Sequence, residues 1–490
     1  MVSVGNTING VLFEGLIDED ENLEIQPAVA ESWEISDDGL FYTFHLRKDA
    51  KWSDGEPVTT KNFEYSWKRA LNPENAVKLA NEFFYIKNAE ACFNGEKDFS
   101  EVGIEMPNDY TINIELESPI SKDEMLERFT SRVFCPLRED IIKANPDDWT
   151  LRPETCISNG PFKMKEYKMN EEVIVVKDEN YWDRENKGKV DEMHFVFIDD
   201  STTALRAFES GQIDGFTGIP GEEVQRLQME SDEFYIIPAL NFSYFALNVT
   251  KAPIDNPKVR EALVLAIDKQ AIAEAAVSGL STPATGIVPP GCLADGVDFR
   301  KEGDANGEIL PIKGDVKRAQ AALAEAGYPN GEGFPKVEYL YNSSPGNKRT
   351  AEMLQEMWKN NLNIDIELVN VEYKVESERR HSGQFQLARS AWNGGRFPFS
   401  YLQIFETGNS NNNPQFSDPE YDALVKKIRT EIDIAKKNEL LHEAEEFALK
   451  NYIVCPLTYG SSTLLLSNRV KDFRISPTGS ITFHYVYIEE

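Results

Sequence analysis

Between Phe41 and Arg47 the chain alternates Tyr42, Phe44 and Leu46 with Thr43, His45 and Arg47, the period of two expected of a half-buried strand. Asp37-Asp38-Gly39 precedes this run and Ser53-Asp54-Gly55 follows it, each ending in the glycine that takes positive φ at no steric cost. Trp33 and Trp52 stand symmetrically outside the two turns, so the pattern predicts a hairpin capped by indoles. Farther along, Asn62–Ala70 reads as a helix, Glu172–Val176 and Met193–Phe197 as strands, and Ser201–Gly211 as a helix ended by glycine. Asn256 and Pro257 open another helix as N-cap and first-turn residues, with Val259, Leu263 and Ile267 on one face. A helix from Asp315 to Ala326 buries Ala319, Leu323 and Ala326 and stops at Gly327. Between them Thr282–Asp298, rich in Pro and Gly, predicts a long loop. A helix over Lys348–Asn360 leads into the alternating strand Ile364–Val371, and residues 435–450 read as a last amphipathic helix.

Helices alternating with strands over 490 residues predict two α/β lobes. The stretch from Trp33 to about Cys156, mixing short strands with helices, reads as a compact α+β insertion, and Ser158-Asn159-Gly160-Pro161-Phe162 as a turn cluster at a domain crossing. A hydrophobic fraction of 41% is that of a globular chain. The net charge of −32 is spread along the chain; such a field repels phosphate backbones and argues against nucleic acid as a partner. Five cysteines, widely scattered and without a CxxC pair, read as buried thiols. No apolar run approaches the roughly 18 residues of a membrane span. No signal-peptide pattern opens the chain, and Val4 to Leu16 already has the character of a domain interior, so a start lost upstream is expected.

The search for chemistry returns no catalytic constellation. His45, His194, His381, His442 and His484 stand far apart, none with a second His or Cys at ligand spacing, so no metal and no cofactor are expected. No Walker motif, GxGxxG or GxSxG occurs, and carboxylates are too abundant for any pair to carry weight. A hydrolase is left with size as its support. What stands out is Arg389-Ser390-Ala391-Trp392-Asn393-Gly394-Gly395-Arg396, where small residues surround one Trp and two Arg bound the run. Small side chains admit another backbone, so the segment could pair with an extended ligand by strand addition while Arg389 or Arg396 meets a carboxylate. A strand end and loop with Trp392 in a core fits the same spacing.

Ala30–Thr59 as a whole resembles the signature of the family 5 extracellular solute-binding proteins, the peptide and nickel receptors of ABC importers. Asn159-Gly160-Pro161-Phe162, Val259-Arg260-Glu261-Ala262-Leu263 with Ala266-Ile267-Asp268-Lys269, and Leu323-Ala324-Glu325-Ala326-Gly327-Tyr328 are similar to further family landmarks in the family's order. The resemblance covers essentially the full length. It implies an α/β, two-lobed periplasmic-binding-protein-like fold (type II) with an extra α+β domain inserted in the first lobe. By the same resemblance, residues 1–15, 158–240 and 463–490 form a discontinuous domain I lacking its first strand, 16–157 the insertion and 241–462 the second lobe.

The function implied is that of a monomeric, non-enzymatic receptor which captures oligopeptides between two lobes and hands them to the membrane permease subunits of an ABC importer. It would work outside the cytoplasm, in a periplasm or lipid-anchored at the surface, given a signal sequence upstream. Carried over by similarity, Arg389 matches an arginine near the peptide's carboxyl end, and Ala391, Asn393 and Gly394 match strand positions along the peptide. The loop matching Ser3-Val4 lies on the peptide's other side. Where such receptors place an Asp for the ligand's ammonium, this chain has Gly395 and then Arg396. A ligand-contacting histidine is matched by Asn347, and the two half-cystines of enteric members by Asn241 and Asn393. The ligand could therefore be N-blocked, longer, or anionic toward Arg396. Alternatives are the same receptor for an oligosaccharide, a nickel chelate or an amino-acid conjugate, a peptide-pheromone receptor, and a cytosolic peptidase or glycosidase.

Overall fold

The computed structural model describes residues 4–489 except 76, 78, 277, 278, 295, 477 and 478, with backbone alone for Val4, Gly5, Asn6 and Pro238. The chain forms two compact units, Met1–Phe216 with Leu465–Glu490, and Thr217–Leu464.

In the first unit the alternating run forms the strand Phe41–Leu46, which buries Tyr42, Phe44 and Leu46. It is the second strand of a four-stranded antiparallel sheet ordered Ala30–Ile35, Phe41–Leu46, Thr111–Glu115, Ile104–Asn108. The helix Thr60–Leu71 lays Phe63 and Trp67 into the same core as Phe129 and Phe134. Phe44 and Phe129 meet edge to face at 5.1 Å. Trp67 satisfies its indole N–H on Phe134 O at 3.1 Å, and Trp52, fully buried, donates to Asn62 Oδ1 at 3.3 Å. Trp33 lies within the hairpin's first strand, so Trp52 alone of the two indoles stands outside it.

A second core in this unit joins the helix Val4–Leu12 to the three-stranded sheet Phe162–Lys168, Glu172–Lys177, Glu192–Val196 through Ile8, Val11, Leu12, Phe162, Val173 and Val175. The turn at Asn159-Gly160 seals it. Gly160 N donates to Leu12 O at 2.8 Å, and a Cβ on Gly160 would lie 2.8 Å from that carbonyl. Glu14, buried beside it, accepts from Tyr181 Oη (2.5 Å) and Trp182 Nε1 (2.7 Å) and faces Lys187 Nζ at 3.4 Å. Burial pushes the Glu14 carboxyl up against the opposing pull of Lys187.

The second unit is built on a mixed sheet ordered Val454–Leu466, Phe234–Leu247, Leu387–Asn393, Val337–Asn342, Ile366–Val371, with the pair Thr282–Pro283 beside Val454–Leu466. Val337–Asn342 runs parallel to both of its neighbours, and Leu387–Asn393 antiparallel to Phe234–Leu247. The helix Pro257–Leu265 starts from an Asn256 cap, as its sequence predicts, but ends before Ile267, because Ala266 closes its last turn. The helix Pro345–Leu362 starts earlier than its apolar spacing suggests, because Ser344 caps it and Pro345 occupies its first turn. Trp358 of that helix packs on Phe245 at 5.5 Å and donates to Leu263 O at 2.9 Å.

Within Thr282–Asp298 one buried carboxylate ties down the backbone at Ile287 and Val288. Glu445, from the helix Ile434–Lys450, accepts from the N–H groups of Ile287 (2.8 Å) and Val288 (2.9 Å) and pairs bidentately with Arg300 at 3.0 and 2.8 Å. Both partners are buried. Gly286 leaves room for the guanidinium, since a Cβ there would fall 1.5 Å from Arg300 Nη1.

Two outcomes follow from this packing. Glu445→Ala strands a buried guanidinium and two amides, and urea denaturation should show a loss of about 3–5 kcal/mol; an unchanged midpoint would refute the clasp. The second concerns pH. His484 directs Nε2 at Gly10 O (2.8 Å), and burial, with Lys187 and Arg132 nearby, holds its pKa down at about 4. Between about pH 6.5 and that value the unfolded chain takes up a proton which the folded one refuses. Stability is therefore expected to fall as pH drops through this window, and His484→Gln to flatten the slope of the unfolding midpoint against pH.

Candidate functional site

Amides along a strand point alternately to its two sides. Leu247 N donates to Ile453 O at 3.1 Å and Asn248 N to Gln386 O at 3.0 Å, so the even-numbered members of this strand point toward Leu387–Asn393. The register pairs Tyr244 with Ser390 and Phe242 with Trp392. Ser390 and Trp392 thus spend their main-chain groups on that neighbour, and Arg389, Ala391 and Asn393 direct theirs to the other side. On that other side Val337–Asn342 reaches only Leu387 and Ala388, opposite Tyr339 and Leu340. Past Arg389 the strand has no second neighbour among the described residues. Ala391 and Asn393 are exposed, and their N–H and C=O groups face an open edge that suits an added strand.

The side chains divide by face. Ser390 is buried, and its hydroxyl accepts from Asn413 Nδ2 at 3.3 Å, so neither its side chain nor its main chain is directed at the open edge. Trp392 is half-buried, packs on the unit's core and donates its indole N–H to Ser400 O at 3.0 Å. The strand ends at Asn393, one residue short of Gly394, which was expected on it. A Cβ on Gly394 would lie 2.9 Å from Trp392 Nε1 and 3.0 Å from the Tyr401 ring, so its smallness serves the turn's own packing. Gly395 is exposed with φ +78° and nothing near its missing Cβ. Its carbonyl lies 2.7 Å from Tyr401 Oη, whose pKa burial drives up, keeping the hydroxyl protonated. Arg396 is half-buried, and its carbonyl accepts from Leu293 N at 3.2 Å.

Arg389 is a half-buried guanidinium that makes no ion pair with a carboxylate among the described residues. It lies near enough to Tyr244 and Tyr339 to draw both hydroxyl pKa values down, although burial prevails and leaves them raised. Tyr339 Oη is itself buried without a hydrogen-bond partner among the described residues. Asn241 and Asn393 are directly opposite across the two strands, and a Cβ on Gly460 would meet Asn241 Oδ1 at 2.7 Å. The face carrying them is small and polar, with Ser243 opposite Ala391.

Arg389 to Arg396 thus come together in the second unit. Val4 belongs to the first, where it begins the helix Val4–Leu12 instead of lying in a loop, and Ser3 lies outside the described residues. Asn347 donates to Asn342 O (3.3 Å) and Oδ1 (2.9 Å), an arrangement that serves its helix start. Pattern reading missed Tyr244, Tyr401 and Asn413, all held by contacts remote in sequence. Among the described residues no group of three His, Cys, Asp or Glu could hold a metal ion, and the five cysteines are buried and form no disulfide. Burial pushes the Cys135 and Cys455 thiols up to about 12, far from a reactive thiolate.

Comparison with known proteins bears directly on the class of this chain. Residues 24–415 match the family model of bacterial extracellular solute-binding proteins, family 5 Middle, and the chain belongs to that family. It is 32% identical over 498 aligned positions to the oligopeptide-binding protein OppA of Bacillus subtilis (strain 168), covering 99% of this chain and 89% of the relative. It is 30% identical to the probable deoxycholate-binding periplasmic protein YgiS of Escherichia coli (strain K12), covering 98% and 87%. Among solved structures, the substrate-binding domain of an oligopeptide ABC transporter from Bacillus anthracis matches with a TM-score of 0.81 at 30% identity, over 99% of this chain and 95% of the other. The mixed α/β architecture is accordingly that of the type II periplasmic-binding-protein class.

Proposed function

We propose that this protein is a non-enzymatic receptor which captures oligopeptides and delivers them to the permease subunits of an ABC importer, working outside the cytoplasm as a periplasmic or lipid-anchored protein. The observation that carries the reading is the edge at Ala391 and Asn393, with main-chain groups directed at an empty side and an unpaired guanidinium, Arg389, at its start. An extended peptide matches both features, since its backbone repeats donors and acceptors at strand spacing and its end carries a carboxylate. The relatives named as oligopeptide-binding support the choice of ligand.

In this reading Ala391 and Asn393 pair with the peptide main chain, Ser390 and Trp392 keep the strand seated, and Arg389 meets the carboxylate. Gly394, Gly395 and Arg396 shape the corner beyond. Residues 16–157 would be a separate inserted domain, which their own aromatic core supports. The absence of a nucleophile or metal motif from the sequence supports a receptor over a hydrolase.

A second reading, the same receptor for a non-peptide solute, is favoured by the relative described as deoxycholate-binding. Calorimetry with pooled di- to octapeptides separates the two. Binding is expected, and Arg389→Gln should weaken it about tenfold or more, as loss of a charge-assisted hydrogen bond implies. Silence across the pool, with a non-peptide ligand carried through purification and seen by native mass spectrometry, would replace the first reading with the second.

A further inference from the structure

The run Asn409–Asn413 has the composition of a plain loop, yet its last two side chains are buried. Asn412 Nδ2 donates to Phe405 O (3.2 Å), Glu406 O (3.1 Å) and Phe416 O (2.7 Å), and its Oδ1 accepts from Phe416 N at 3.1 Å. Val249 N donates to Pro414 O at 3.0 Å, tying the loop to the residues that follow the strand Phe234–Leu247. The backbone position of Asn413 is thereby set before any ligand arrives.

From that position Asn413 Nδ2 reaches Tyr244 Oη at 3.0 Å and Ser390 Oγ at 3.3 Å. Its Oδ1 accepts from Arg380 Nη1 at 3.0 Å, and Arg380 Nε donates to Glu376 Oε1 at 2.9 Å. Asn413 is 4% exposed, and Tyr244, Ser390 and Glu376 are each 1% exposed. Tyr244 and Ser390 are opposed in the strand register. One carboxamide thus gives a hydrogen to each strand while Arg380, itself paired with the buried Glu376, holds its oxygen. The arrangement closes only when the two residues are level, because a slip of one residue would send Ser390 to the other face and leave a buried donor unmade.

The fastener sits where the strand has least other support. From Arg389 onward, among the described residues, Leu387–Asn393 is held from one side alone, so no second neighbour helps to fix its register there. We infer that Asn413 is a positioning residue. From the buried face of the sheet it holds Ser390 level with Tyr244, and so fixes the direction in which Ala391 and Asn393 present their main-chain groups. The ligand half of this inference rests on the peptide-binding reading of that edge; the register half does not.

Asn413→Ala and Ser390→Ala remove the bridge. Asn413→Asp keeps it, because the two hydroxyls can turn and donate to a carboxylate that also faces Arg380. Amide hydrogen exchange in the ligand-free protein should rise about tenfold or more at Ser390 and Trp392 in both alanine variants, with Val337–Asn342 unchanged and Asn413→Asp close to the parent. Affinity for the peptide pool should fall in parallel in the alanine variants and be retained in Asn413→Asp. Parent-like exchange and affinity in a folded Asn413→Ala would overturn the inference, as would exchange raised uniformly over the whole sheet. If Asn413→Ala does not fold, Ser390→Ala decides by the same criteria. A parent protein that binds no peptide would remove the peptide reading, and the exchange pattern would then decide the register alone.

Discussion

The second unit depends on a rule about main-chain groups: a strand's N–H and C=O must be paired or wet. Its sheet obeys the rule at the start of Leu387–Asn393, where Leu387 and Ala388 have Phe234–Leu247 on one side and Val337–Asn342 on the other. The parallel neighbour pairs no farther than Ala388, and from there the strand continues with half of its hydrogen-bonding capacity directed outward. An exposed edge of this kind is usually a liability that proteins cover or charge. Here it is short, bounded by Arg389 and Arg396, and carries small or polar residues on its exposed face, a combination that accepts a backbone without inviting sheet extension.

Holding an unpaired edge in shape requires support from elsewhere, and the structure provides it from two directions. Beneath the strand, Asn413 joins Tyr244 to Ser390. Beyond its end, the segment Cys292–Leu293 reaches the turn through Leu293 N and Arg396 O, and that segment follows a loop fastened by Glu445 and Arg300. Tyr401 adds a third tie by placing its hydroxyl between Leu240 O and Gly395 O, at 2.7 Å from each. Buried polar groups of this kind add little net stability compared with apolar packing, but each is satisfied in one geometry, and that geometry is the one that presents the edge.

What could be read from the sequence follows the range of the interactions concerned. The strand Phe41–Leu46 and the helix cap at Asn256 were legible because alternation and capping are written in adjacent residues. The start of the helix Pro345–Leu362 was missed because its first turn carries no apolar residue, although Ser344-Pro345 is itself a local start signal. The small residues after Trp392 drew attention for a sound reason, since a close neighbour must exist. Whether that neighbour is a ligand or the protein's own rings is a tertiary fact, and for Gly394 it is Trp392 and Tyr401. Glu445 and Arg300 lie 145 residues apart, and Asn413 and Tyr244 169 apart, distances over which no periodicity speaks.

The chain belongs to the family 5 solute-binding proteins, and under the proposed function the edge at Ala391 and Asn393 is where it would take its ligand. A crystal structure of the protein with a bound oligopeptide tests this most directly. The account predicts the peptide as an added strand, its main chain within hydrogen-bonding distance of Ala391 and Asn393 and its carboxylate toward Arg389. A peptide bound with those groups still facing solvent would contradict it.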